Sequence, residues 1–185
     1  MTLWIVLGVI ALLVIIIISL YNRLVKLRNH RENAFADIDV QLKQRHDLIP
    51  QLVESVKGYA KHEQETLDRV VAARSGAMNA RTIDDKIVAE NALTSALAGL
   101  RVQLEAYPDL KANQNFLQLQ EEISDVENKL AAVRRFFNSA TRELNNAVQT
   151  FPSNIIAGMF GFKKEMMFDL GDNRAALEEA PKISF

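Results

Sequence analysis

The sequence predicts an all-α protein that begins with one membrane-spanning helix. Three observations carry this: an uncharged apolar run at the start, apolar residues recurring at every third and fourth position through the rest, and few helix breakers, with 7 Gly and 4 Pro among 185 residues. No stretch alternates apolar and polar residues for long, so strands and hairpins have little support.

The apolar run is LWIVLGVIALLVIIIISL, from Leu3 to Leu20, without a charge. As an α-helix it covers roughly 27 Å, close to the hydrocarbon thickness of about 30 Å. A cleaved signal peptide needs a basic segment before the apolar run and a small-x-small cleavage site after it, and neither MTL nor SLYNR supplies one. Trp4 and Tyr21 sit at the two ends of the run, where amphipathic rings prefer to lie. Arg23, Lys26, Arg28 and Arg31 follow it and no base precedes it, so the expectation is a single-pass anchor with the N-terminus outside and the body in the cytoplasm. The same four bases are candidates for lipid headgroup contact, joined by Lys163 and Lys164.

In the body, Phe116, Leu119, Ile123, Val126, Leu130, Val133, Phe137, Ala140, Leu144, Ala147 and Phe151 step by three and four, the pattern of a bundle or coiled-coil seam. Pro108 and Asp109 mark its start and Pro152 its end. An earlier stripe runs through Phe35, Ile38, Leu42, Ile49, Leu52, Val56, Tyr59 and Val70, and a shorter one through Leu93, Leu97, Leu100, Leu104 and Tyr107. Between these two, Gly76 can close one helix and Thr82 or Asp84 open the next. Pro50 falls inside the earlier stripe, either as a kink in one helix or in a tight connection with Asp47 near the N-cap. Arg45 falls in phase with the apolar residues, either paired with a carboxylate such as Glu121 or Glu122 or, the preferred reading, snorkelling to water.

Composition narrows the function classes. Lys and Arg number 22 against 23 Asp and Glu, so the broad positive field that non-specific nucleic-acid binding uses is missing. With 0 cysteines, disulfides, thiolate metal sites and thiol nucleophiles are excluded. His62-Glu63-Gln64-Glu65-Thr66 begins like the zinc-protease signature but has Thr66 where the second imidazole must stand, and His30 and His46 have no ligand spacing of their own. Asp37, Asp39, Asp47, Glu54 and Glu63 are the carboxylates from which a bundle metal cage for a hydrolase would be drawn, but the Glu-x-x-His pairing is absent and solvated helix faces explain them. Gly158 and Gly161 give a GxxG spacing, but the bases of an RNA clamp are replaced by Ile, Met and Phe. The reading is a non-enzyme with no cofactor; the alternative is a metal-dependent hydrolase using these bundle carboxylates.

The stretches YNRLVKLRN, DIDVQLKQRHDLIPQLVESVKGYAKHE, YPDLKANQNFLQLQEE and FPSNIIAGMFGFKK resemble the bacterial LemA family and cover most of residues 21 to 165. The resemblance implies a single-pass membrane protein whose soluble part is an antiparallel up-and-down four-helix bundle, with helices near 22–46, 48–77, 83–106 and 110–151. The alternative is a three-helix bundle whose first helix is kinked at Pro50. The family has no agreed biochemical activity; one member is associated with forming magnetosome membranes, which points to membrane organisation.

These readings divide the chain into an anchor at 1–21, a bundle at 22–151, a short apolar segment at 152–168 and a flexible tail at 169–185. With four helices, residue 151 returns to the membrane side. Ile155, Ile156, Met159 and Phe160 then form one apolar face, with Phe162 beside it, set against the bilayer or a neighbouring subunit; the competing reading folds this face over the bundle end. The seam at 116–151, roughly 53 Å of helix, exceeds what a compact body needs and points to a homo-oligomer. The expected function is a membrane-anchored scaffold that organises membrane or membrane-protein complexes, with the bilayer held through residues 3–20 and other membrane proteins as further partners.

Overall fold

The computed structural model describes residues 1–59 and 63–168. Among them, helices occupy α1 (Thr2–Lys57), α2 (Gln64–Asn79), α3 (Ile83–Leu104), α4 (Pro108–Lys111), α5 (Gln114–Gln149) and α6 (Ser153–Met159), with no strand. The all-α class and the long apolar N-terminal helix are as the sequence predicts. The tail reading at 169–185 and His62 lie outside the described residues.

Every residue from Met1 to Ser19 is exposed. Among the described residues nothing packs around the most apolar part of α1, and hydropathy and length alone qualify it to cross a membrane. From Leu24 onward buried positions recur at helical spacing, so one helix changes from an all-apolar surface to a one-sided stripe.

The helix boundary that the family resemblance implies near residue 47 is absent, because α1 continues through Pro50 to Lys57. Proline at this position cannot donate to the carbonyl four residues earlier, that of His46. The Arg74 side chain supplies the missing donor, with Nε 2.7 Å from the His46 carbonyl oxygen, and Pro50 itself is exposed. We expect Arg74→Ala to lower stability by about 1–3 kcal/mol and Pro50→Ala to recover much of it in the double variant, as read by denaturant titration, since alanine restores the helical donor.

Two compact units divide the chain, the first made of Met1–Ala36 with Phe136–Met167 and the second of Asp37–Arg135 with Phe168. The second unit's core is formed by Ile49, Val56, Leu67, Val70, Leu93, Leu100, Leu110 and Phe116, drawn from α1 to α5. Its polar pairs set the directions. Lys86 meets Asp39 and Arg45 meets Glu90 and Thr94, so α3 runs alongside α1 in the same sense. Asn113 meets Tyr59 while Glu127 meets Arg45, so α5 runs the opposite way. Thr82 caps α3 by accepting from the Asp85 N–H, as its position predicts, whereas Gly76 lies within α2 instead of closing it. The cap of α5 is Asn113, not Asp109: its Oδ1 accepts from the N–H groups of Asn115 and Phe116.

In the first unit Leu24, Ala147, Ile156 and Ala157 form a small core with Leu20, Leu27, Val148 and Phe162 around it. The apolar stripe of α5 is buried or half-buried through Ala147, but Phe151 leaves it and is 80% exposed.

Candidate functional site

The apolar segment after α5 packs beside the end of the apolar run of α1. Ser153 begins the turn back: its hydroxyl donates to the carbonyls of Ala147 and Thr150 at the end of α5, and the Thr150 carbonyl also accepts from the Asn154 N–H. Helix α6 closes with Gly161 at φ 74° and the Phe162 N–H bonded to the Ala157 carbonyl, the six-to-one closure in which a left-handed residue follows the last turn. Gly161 of the GxxG spacing is thus accounted for by a helix cap, while Gly158 lies within α6. Phe162, the residue after the glycine, packs on the small core and takes the Arg28 guanidinium 5.3 Å over its ring.

The candidate contact residues do not share one face. Ile156 is 5% exposed and points into the core, while Ile155, Met159 and Phe160 are 52%, 70% and 53% exposed. The reason is the register: Ser153, Ile156 and Ala157 are the positions α6 buries, leaving Ile155 and Met159, one turn apart, on the other side. Phe160 lies against Tyr21, with ring centroids 4.7 Å apart. Ile156→Ser is expected to cost about 2–4 kcal/mol through a lost core contact and a buried hydroxyl, and Ile155→Ser less than about 1 kcal/mol, a contrast that thermal melts of the two variants would show.

Of the bases expected at headgroups, Arg23, Lys26, Arg28, Lys163 and Lys164 are exposed. Arg31 is not. It is 4% exposed, pairs with Glu165 at 3.2 Å, donates to the Met166 carbonyl, and lies 5.0 Å over the Phe137 ring, so its charge is taken up within the first unit. Beside it, Asn145 grips the Glu165 backbone at both groups: its Oδ1 accepts from the N–H at 2.8 Å and its amide donates to the carbonyl at 2.9 Å. The extended stretch after α6 is therefore fastened by Asn145 and Arg31. Sequence reasoning passed over Asn145; the signal available was Asn138, Thr141 and Asn145 at helical spacing beside the apolar stripe.

The second unit contains a buried ionic cluster. Glu90, 1% exposed, accepts from Arg45 Nη1 at 3.0 Å and from His46 Nε2 at 2.6 Å. Arg45 also donates to Thr94 at 2.9 Å and places Nε 2.8 Å from Glu127, near enough for ion pairing though not aligned as a hydrogen bond. At 3% exposure Arg45 does not snorkel; it is paired, and with Glu90 and Glu127 rather than Glu121 or Glu122. Burial, reinforced by the like charge of Arg45, pulls the Arg134 guanidinium below its usual range, against the opposing pull of Glu127 and Glu90. Phe168 covers that guanidinium at 5.0 Å. A cleft of about 570 Å³ opens next to Arg45 and Glu127, walled by Leu52, Leu97, Leu100 and Leu104.

The carboxylates weighed for a metal are dispersed. Asp39 holds Lys86, Asp47 faces Lys43, Glu54 faces Lys57 and Glu63 accepts from Tyr107. Among the described residues no three His, Cys, Asp or Glu side chains form a group able to hold a metal ion.

A family model described as LemA family matches residues 34–185, most of the chain. The chain belongs to the LemA family. It is similar to Protein LemA of Metamycoplasma hominis, with 33% identity over 140 residues that cover 74% of this chain. The match spans 63% of that relative's length. LemA membership together with the exposed apolar N-terminal helix fits a membrane-anchored helical protein.

Proposed function

We propose that this LemA-family protein is a membrane-anchored helical scaffold in which α6 returns to the lipid boundary crossed by α1. Residues 3–20 span the bacterial inner membrane, with the N-terminus outside and the helical body in the cytoplasm, as the bases after the span favour. The observation that carries the reading is the 4.7 Å contact of Phe160 with Tyr21, the first residue after the apolar run. It sets the exposed Ile155, Met159 and Phe160 beside a ring of the type that lies at membrane interfaces. Exposed Lys163 and Lys164 follow in the chain and are suited to anionic headgroups.

The scaffold works through this boundary surface, by lying in the interface, by binding other membrane proteins, or by assembling with further copies of itself. Apolar residues that remain exposed at the end of such a segment support a contact outside the chain. Their part is adhesive rather than catalytic, and no cofactor enters it.

The test uses the full chain in vesicles. In a Trp4→Phe background, Phe160→Trp provides one fluorophore. Bromine-labelled acyl chains are expected to quench it and its emission to shift to the blue relative to the detergent-free, water-exposed indole. Unquenched, red-shifted emission from a protein that still sediments with vesicles would overturn the role of α6 while leaving the anchor in place.

A further inference from the structure

We infer that the face of α1 turned away from α6 is a binding site for an individual anionic phospholipid, with Arg23 and Lys26 as its phosphate ligands. This rests on the reading of residues 3–20 as a membrane span and adds to it a defined ligand position. Ile15, Ile18, Ser19, Asn22, Arg23 and Lys26 line a shallow, open recess along α1. At about 100° per residue they fall on one side of the helix. Leu20, Leu24 and Leu27, which belong to the small core with Ile156 and Ala157, fall on the other. The recess is thus not a remnant of the packing that holds α6.

Its chemistry is graded along the helix. Ile15 and Ile18 belong to the apolar run and offer contact to an acyl chain; Ser19 and Asn22 come one turn later with a hydroxyl and an amide; Arg23 and Lys26 come last, with two positive charges. Among the described residues no carboxylate lines the recess. That order, from alkyl to hydrogen-bonding to cationic groups, matches a phospholipid read from chain to glycerol to phosphate. Arginine can hold a phosphate through two parallel N–H donors and lysine as a point charge. The acyl contacts distinguish the lipid from free phosphate, which has nothing to place against Ile15 and Ile18.

The experiment places the full-length protein in nanodiscs of equimolar phosphatidylcholine and phosphatidylglycerol, releases it, and identifies the retained lipids by native mass spectrometry. The wild type is expected to retain phosphatidylglycerol over phosphatidylcholine on the order of tenfold, given the contribution of each base near a lipid surface. Arg23→Gln with Lys26→Gln removes the preference. Lys163→Gln with Lys164→Gln subtracts the same charge from a different place and leaves the preference intact. An equal loss in both double variants would overturn the site in favour of diffuse surface charge, as would displacement of the retained lipid by inorganic phosphate. A wild-type protein that enters the nanodisc but shows no preference overturns this inference alone; a protein that alkaline carbonate washes off native membranes overturns the span and the inference together.

Discussion

Replacing Glu90 with alanine is expected to destabilise the second unit by about 3–5 kcal/mol. The carboxylate is 1% exposed and divides its two oxygens between Arg45 and His46. Removing it leaves the Arg45 guanidinium, 3% exposed, with Thr94 and the partly solvated Glu127 as its remaining partners. An ion stranded in a buried position costs more than the pair was worth, because neither water nor an opposite charge replaces what was lost. The measurement is amide hydrogen exchange at Leu93 and Leu100, core residues of the same helix as Glu90. Their protection should fall by several orders of magnitude. The triple replacement Arg45→Met, His46→Phe and Glu90→Leu separates charge from packing: it is expected to restore most of the stability, since an apolar cluster of similar volume has no ions to desolvate. Protection unchanged in Glu90→Ala would mean that Glu127 alone satisfies Arg45.

The second large effect belongs to the first unit. Phe137→Ala should cost about 3–5 kcal/mol. The ring is 0% exposed, meets Phe35 edge-on at 5.4 Å and lies under the Arg31 guanidinium at 5.0 Å. Truncation removes aromatic area, leaves a cavity, and takes away the surface on which a nearly buried cation rests. Its neighbour is the control. Phe136 is 50% exposed and touches the edge of His30, so Phe136→Ala should stay within about 1 kcal/mol. Thermal unfolding followed by circular dichroism distinguishes the two, and equal losses would contradict the assignment of Phe137 alone to the core.

Much of this architecture is legible from spacing, because helices repeat and the repeat is what burial selects. The stripe from Phe116 to Ala147 is buried or half-buried as its period predicts, and the apolar run at the start is exposed throughout. Pro50 was ambiguous because the local rule concerns one missing donor, and the compensating donor, Arg74, lies 24 positions further along the chain. Arg45 misled for a related reason. A lone cation in an apolar phase is cheaper at the surface, and only the fold brings Glu90 and Glu127 to it. In α6 the composition announced an apolar segment, but which side faces inward depends on where Ser153 turns the chain, so Ile156 is buried while Ile155, expected on the same face, stays exposed. The headgroup set lost Arg31 because its partner, Glu165, lies beyond the reach of any local pattern.

The grip of Asn145 on Glu165 involves only main-chain atoms of the latter, whereas Arg31 reads its carboxylate. The two fasteners therefore impose different constraints on evolutionary drift. Among related sequences, position 165 should change freely as far as Asn145 is concerned, while loss of the acid there should be accompanied by loss of the arginine at position 31.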